Sequence, residues 1–176
     1  MIDTNYRIEA LEYLLEKDCL SERYYPLIGY KAELILRCRR LGYRAKSDIL
    51  ALSDSELEEF GFHDVGMLTL LRRFLTMYDP NPQKFREIEK LGMEPEMESV
   101  FRELYYLPGV RHIRALLYFY SGYRSLAAIA GADTEDILEK AALAISMHQL
   151  SCIVPLPKEV RTHIAVARAF TQCGKE

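Results

Sequence analysis

Apolar positions recur along most of this chain at helical spacing, and no stretch alternates apolar and polar residues over the length of a strand. Residues 4–17 place Ile8, Leu11, Leu14 and Leu15 on one face and Glu9, Glu12 and Glu16 away from it, which predicts an amphipathic helix. Tyr24-Tyr25-Pro26 interrupts the chain, and a helix over 30–41 follows, apolar at Leu34, Ile35, Cys38 and Leu41. Short helices are expected over 47–52 and 54–60, the second opened by a Ser53/Glu56 capping box. Gly61 and Gly66 bracket a turn before a helix over 67–78. Asp79-Pro80-Asn81-Pro82 is the clearest boundary, because two prolines one residue apart cannot continue a helix. Beyond it the pattern predicts helices over 84–91 and 94–105, with Met97, Phe101 and Leu104 inward on the second. A helix then starts near Val110, with Ile113, Leu116, Leu117 and Tyr120 on one shared face and Gly122 at its end. Residues 151–157 read as a loop, and a last helix over 158–171 faces Val160, Ile164, Ala167 and Phe170 inward. The predicted fold class is all-α.

The pattern also repeats. Residues 25–58 match residues 105–138 at a constant offset of 80 with no gap. Tyr25, Leu27, Gly29, Gly42, Tyr43, Arg44 and Ile49 correspond to Tyr105, Leu107, Gly109, Gly122, Tyr123, Arg124 and Ile129. In each copy a hairpin turn leads into a helix, a glycine stop and a short capped helix. In the second copy Ser125 caps the short helix, and Asp133 with Asp136 supplies the next cap and its capping box. Ala141 and Ser146 stand where the first copy has Gly61 and Gly66, so 134–148 is predicted to be one unbroken helix. The organisation read from this is residues 1–79 as an N-terminal helix plus first module, 80–150 as a second module, and 151–176 as a C-terminal loop and helix.

LPGVRHIRA at 107–115, followed by GYRSLAAIAGADTEDIL, resembles helix-hairpin-helix proteins. The first copy, continuing into EEFGFHDVGMLTLLRRFL, is similar to the C-terminal domain of the bacterial RNA polymerase alpha subunit, and more loosely to a SAM domain. The resemblance covers residues 25–78 and 105–148. It implies two tandem helix-hairpin-helix modules of SAM-like fold and a DNA-binding function through the hairpins. One feature departs from the family. The second hairpin glycine, two residues after the first, is replaced by Lys31 and by Arg111.

Charge changes this picture only locally. The net charge of −3 and pI near 5.9 exclude bulk coating of nucleic acid. Yet residues 24–47 hold six basic residues against one acid, and 105–130 hold three arginines and no acid. Helix N-termini favour phosphate through free N–H groups and the helix dipole. The nucleic-acid-binding candidates are therefore Gly29, Tyr30, Lys31, Arg44 and Lys46 in the first copy. In the second they are Gly109, Val110, Arg111, His112, Arg114 and Arg124. The function expected is weak, sequence-independent nucleic-acid binding, DNA favoured. The alternative is a protein-interaction module with degenerate hairpins. No nucleophile, base and orienting group assemble, so the chain is expected not to be an enzyme and to need no cofactor, metal or small-molecule substrate. Cysteines 19, 38, 152 and 173 lack metal-ligand spacing and read as reduced thiols. With a polar, acidic start and no apolar run of membrane-spanning length, a cytoplasmic location without a membrane partner is expected.

Overall fold

The computed structural model describes residues 1–172, and every regular element in it is helical. In order these are α1 (Leu11–Leu14), α2 (Lys31–Leu41), α3 (Lys46–Leu50), α4 (Asp54–Glu58), α5 (Val65–Thr76) and α6 (Pro82–Lys90). They continue with α7 (Pro95–Leu104), α8 (His112–Tyr120), α9 (Leu126–Ala130), α10 (Thr134–His148) and α11 (Pro157–Thr171). Two 3-10 stretches, Ile8–Ala10 and Glu22–Tyr30, precede α1 and α2.

Local chemistry accounts for most of the boundaries. Ser53 and Glu56 close the expected capping box on α4: Glu56 N–H donates to Ser53 Oγ, and Ser53 N–H to the Glu56 carboxylate. Ser125 caps α9 through Ala128 N–H at 3.0 Å. Asn81 caps α6, with Pro82 in the first helical position where its missing N–H is harmless. The glycine stops correspond closely in the two copies. Gly42 and Gly122 are both left-handed (φ 74° and 90°), and Tyr43 and Tyr123 N–H each donate at 2.9 Å to the carbonyl five residues back. α10 is unbroken, while α4 and α5 are separated around Gly61, which is left-handed at φ 93°.

Several expectations need correction. The first helix does not span 4–17. Tyr6 C=O accepts from Lys46 N–H and Ile8 N–H donates to Arg44 C=O, so this backbone is committed to a bridge with the α2–α3 loop instead of to a helix. Pro26 does not break the chain but lies inside the 3-10 stretch that feeds α2. Asp136 forms no capping box, because its carboxylate accepts from Tyr123 Oη (2.7 Å) and Lys140 Nζ (2.9 Å); Asp133 caps α10 alone.

The two hairpins also differ. Gly109 is left-handed at φ 72°, whereas Gly29 is not. A Cβ would meet nothing within 4 Å at either position, so only backbone strain distinguishes them. Gly109→Ala is expected to destabilise by about 1–2 kcal/mol. Gly29→Ala should be neutral or stabilising by up to about 1 kcal/mol through the unfolded chain. Thermal melts of the two variants check this, and an equal loss in both would contradict it.

The face of α8 is the most consequential correction. Ala115, Leu117 and Tyr118 are buried, whereas Ile113 is 48% and Tyr120 39% exposed. The expected inward face is rotated because α8 is covered from two sides. Leu117 meets Ala141 and Ala144 of α10, and Tyr118 turns to α11.

The other unforeseen feature is the rank of α11. Eight of its fifteen residues are buried, on more than one face. It packs against α9, α10 and α1. Thr162 Oγ1 donates to Cys19 C=O (2.7 Å), Lys158 Nζ to Tyr25 Oη (2.9 Å) and Arg168 Nε to Ala130 C=O (3.0 Å). α11 therefore joins the N-terminal segment to the second hairpin unit, and the main buried cluster runs from Tyr6 to Phe170.

Candidate functional site

The second hairpin is held from inside. Leu107 and Val110 are fully buried. Lys84 Nζ donates to Leu107 C=O at 2.9 Å, and His163 Nε2 lies 2.9 Å from Pro108 C=O. A carbonyl can only accept, so Nε2 carries the proton and Nδ1 accepts from Tyr118 Oη at 2.6 Å. Burial of the imidazole lowers the His163 pKa to about 4. Burial, reinforced by the Arg111 charge, lowers that of Lys84 to about 8.

Around this turn lies a cavity of about 640 Å3, lined by Gly109, Arg111, His112, Ile113 and Arg114 together with Glu87, Cys152, Ile153 and Glu159. The fold thus gathers four of the second copy's six candidates, while Val110 turns into the core. Their charges are answered locally. Arg111 pairs with Glu87 at 3.2 Å. Arg114 makes a two-pronged contact with Glu159 (2.8 and 3.3 Å) and donates to Ile153 C=O (3.2 Å). His112 packs against Phe101, and its Nδ1 is buried with no hydrogen-bond partner. Arg124 lies elsewhere, 4.2 Å above the Phe119 ring and 3.4 Å from Glu96.

The first copy is arranged differently. Gly29 and Tyr30 belong to the 3-10 stretch, and Tyr30 stacks on Phe62 at 4.6 Å. Lys31 folds back onto the Glu16 carboxylate and the Glu12 carbonyl. Lys46 is buried, paired with Asp79 and lying over the Tyr6 ring. Both lysines act as ties between segments. Arg44 faces a separate cleft, where its backbone N–H and that of Ala45 donate to Asp48. Those two hydrogen bonds, Ala45 first, lower the Asp48 pKa.

Sequence reasoning found no partner for His163 or His148. His163 joins Tyr118 to Pro108 across 45 and 55 residues, and His148 stacks on Tyr120 at 4.3 Å. Helical spacing carries no signal for contacts of that range. Lys84, Cys152 and Ile153 were missed for the same reason. Cys19 and Cys38 are buried free thiols, and burial raises the Cys38 pKa to about 11; Cys173 lies outside the described residues. Among the described residues no cluster of His, Cys, Asp and Glu is placed to hold a metal, and no helix is long and apolar enough to cross a membrane. Compared with known proteins, the chain matches no family model, no curated protein and no solved structure.

Proposed function

We infer that the chain is a non-enzymatic protein-docking module, built from degenerate helix-hairpin-helix units, which pairs with a second copy of itself through the outer face of α8. The observation that carries this reading is where its exposed apolar side chains lie. Seven of the twelve large exposed hydrophobics among the described residues fall between positions 113 and 156. Ile113 and Tyr120 lie on α8, Leu143 and Met147 on α10, and Ile153, Val154 and Leu156 on the following loop. Ile113 and Ile153 line one cleft, and Tyr120 meets α10 through His148. Apolar clusters rimmed by polar groups mark interaction surfaces. The rim here carries both signs, Arg111 beside Glu87 and Arg114 beside Glu159. Such a neutral, mixed rim suits a twofold contact, in which each surface meets itself.

The nucleic-acid reading draws less support. Lys31, Lys46, Arg111, Arg114 and Arg124 are each engaged by a carboxylate.

Sedimentation over a concentration series tests the proposal. A dimer with Kd near or below about 10 μM is expected, converted to monomer by Ile153→Glu, whose 79% exposed side chain leaves the fold untouched. A wild-type chain that stays monomeric at all concentrations sinks the reading. If that monomer also binds duplex DNA with an affinity that falls steeply with salt, the nucleic-acid reading replaces it.

A further inference from the structure

The cleft that Arg44 faces, about 630 Å3 in volume, opens at the end of α2 and shares no lining residue with the cleft beside α8. Arg7, Arg39 and Arg44 line it from three separate segments, with Asp3, Asn5, Glu9, Tyr43 and the backbone of Gly42 and Ala45. From this geometry we propose that the cleft is a nucleotide-binding site, taking a nucleoside di- or triphosphate.

Its frame is rigid before any ligand arrives. The Arg7–Ala45 bridge ties the two walls, with Ile8 N–H on Arg44 C=O (2.9 Å) and Lys46 N–H on Tyr6 C=O (3.0 Å). Asn5 and Ser47 exchange two hydrogen bonds of 3.0 Å behind it. The helix end is also closed. Tyr43 N–H caps Cys38 C=O and Gly42 N–H caps Arg39 C=O, which removes two carbonyls that would repel an anion. Arg39 and Arg44 are exposed, and Arg39 has no ion-pair partner among the described residues. Guanidinium groups recognise phosphate oxygens in pairs, so arginines arriving from several directions suit adjacent phosphates better than a single one.

The remaining lining chooses between anions. Asp3 and Glu9 put carboxylates on the same cleft, Glu9 also holding Arg7 at 3.5 Å. Carboxylates repel bare phosphate but accept from hydroxyl and amino groups, which a nucleoside supplies. Tyr43, half-buried, offers a ring for a base to stack on. A cavity of this volume lies within the range of ordinary small-ligand sites.

Calorimetric titration of the full chain with ATP, GTP, pyrophosphate, adenosine and a single-stranded oligonucleotide tests this. ATP or GTP should bind more tightly than pyrophosphate or adenosine. Arg39→Gln and Arg44→Gln should each weaken that binding by about tenfold or more, while Lys90→Gln, exposed on α6, leaves it unchanged. Circular dichroism confirms that the variants are folded. Several results overturn the proposal: no nucleotide binding at millimolar concentration, equal binding by the arginine variants, pyrophosphate as tight as ATP, or arginine-dependent binding of the oligonucleotide alone.

Discussion

Val166→Asp is expected to unfold the N-terminal segment and the second hairpin unit together, in one transition. Val166 is fully buried on α11, the helix that touches α1 on one side and α9 and α10 on the other. It belongs to the main apolar cluster, so an introduced carboxylate would be desolvated. Leaving a charge buried and unpaired costs about 3–5 kcal/mol, a large part of the roughly 5–15 kcal/mol that holds a domain folded. For a chain of this size the melting temperature should fall by about 6–20 °C. Hydrogen exchange gives the sharper test. Amides of α2 and α5 should lose protection in parallel with those of α9 and α10. Protection lost only from α9 and α10, with α2 and α5 unchanged, would show that the two hairpin units are stable separately. Arg161→Ala, at an exposed position on the same helix, should change neither readout.

The second large effect centres on His163. Removing the imidazole in His163→Ala strands the buried Tyr118 Oη and the partly buried Pro108 C=O, and leaves a cavity beside the hairpin turn. Each stranded polar group costs about 1–3 kcal/mol, so a loss of about 3–5 kcal/mol is expected from chemical denaturation. Tyr118→Phe removes one of the two bonds and should lose less. The double variant should lose less than the sum of the singles, because the pair acts through one shared bond. Additive losses would show that the contact is incidental.

The same residue makes stability depend on pH in a stated direction. In the folded chain the imidazole stays neutral down to about pH 4, since burial, helped by the Arg114 and Lys84 charges, disfavours its charged form and outweighs the Pro108 carbonyl and Glu159, which favour it. In the unfolded chain it protonates near 6.5. Between these values the unfolded state binds more protons, so stability falls as pH falls, by up to about 1.4 kcal/mol per unit. Above 6.5 both states are neutral and the contribution is constant. His163→Ala should flatten this part of the profile. A wild-type stability that does not change between pH 6.5 and 4.5 would show that His163 is not held neutral.

What the sequence determined by itself is most of what a few neighbouring residues can decide; the Asp136 capping box is an exception, because Tyr123 and Lys140 take its carboxylate. Helix ends at Ser53, Ser125, Gly42 and Gly122 follow from hydrogen bonds within one turn, and all are where the local chemistry puts them. The unbroken α10 follows from the absence of internal glycine, and the all-α class from the spacing of apolar residues. The tertiary structure decided which way each helix faces and what each charge meets. Periodicity defines an apolar stripe but not which of two adjoining stripes is covered. On α8 the packing of α7 and α10, with His163 of α11 on Tyr118, left Ala115, Leu117 and Tyr118 buried and Ile113 and Tyr120 outside. Lys31 and Arg111 look alike as hairpin-end cations, yet Glu16 and Glu87 claim them from 15 and 24 residues away. The bond from His163 to Pro108 closes 55 residues of chain, and α11 earned its central position only by packing on elements from both ends. Contacts at such separations depend on how whole helices stack, and no local pattern encodes that.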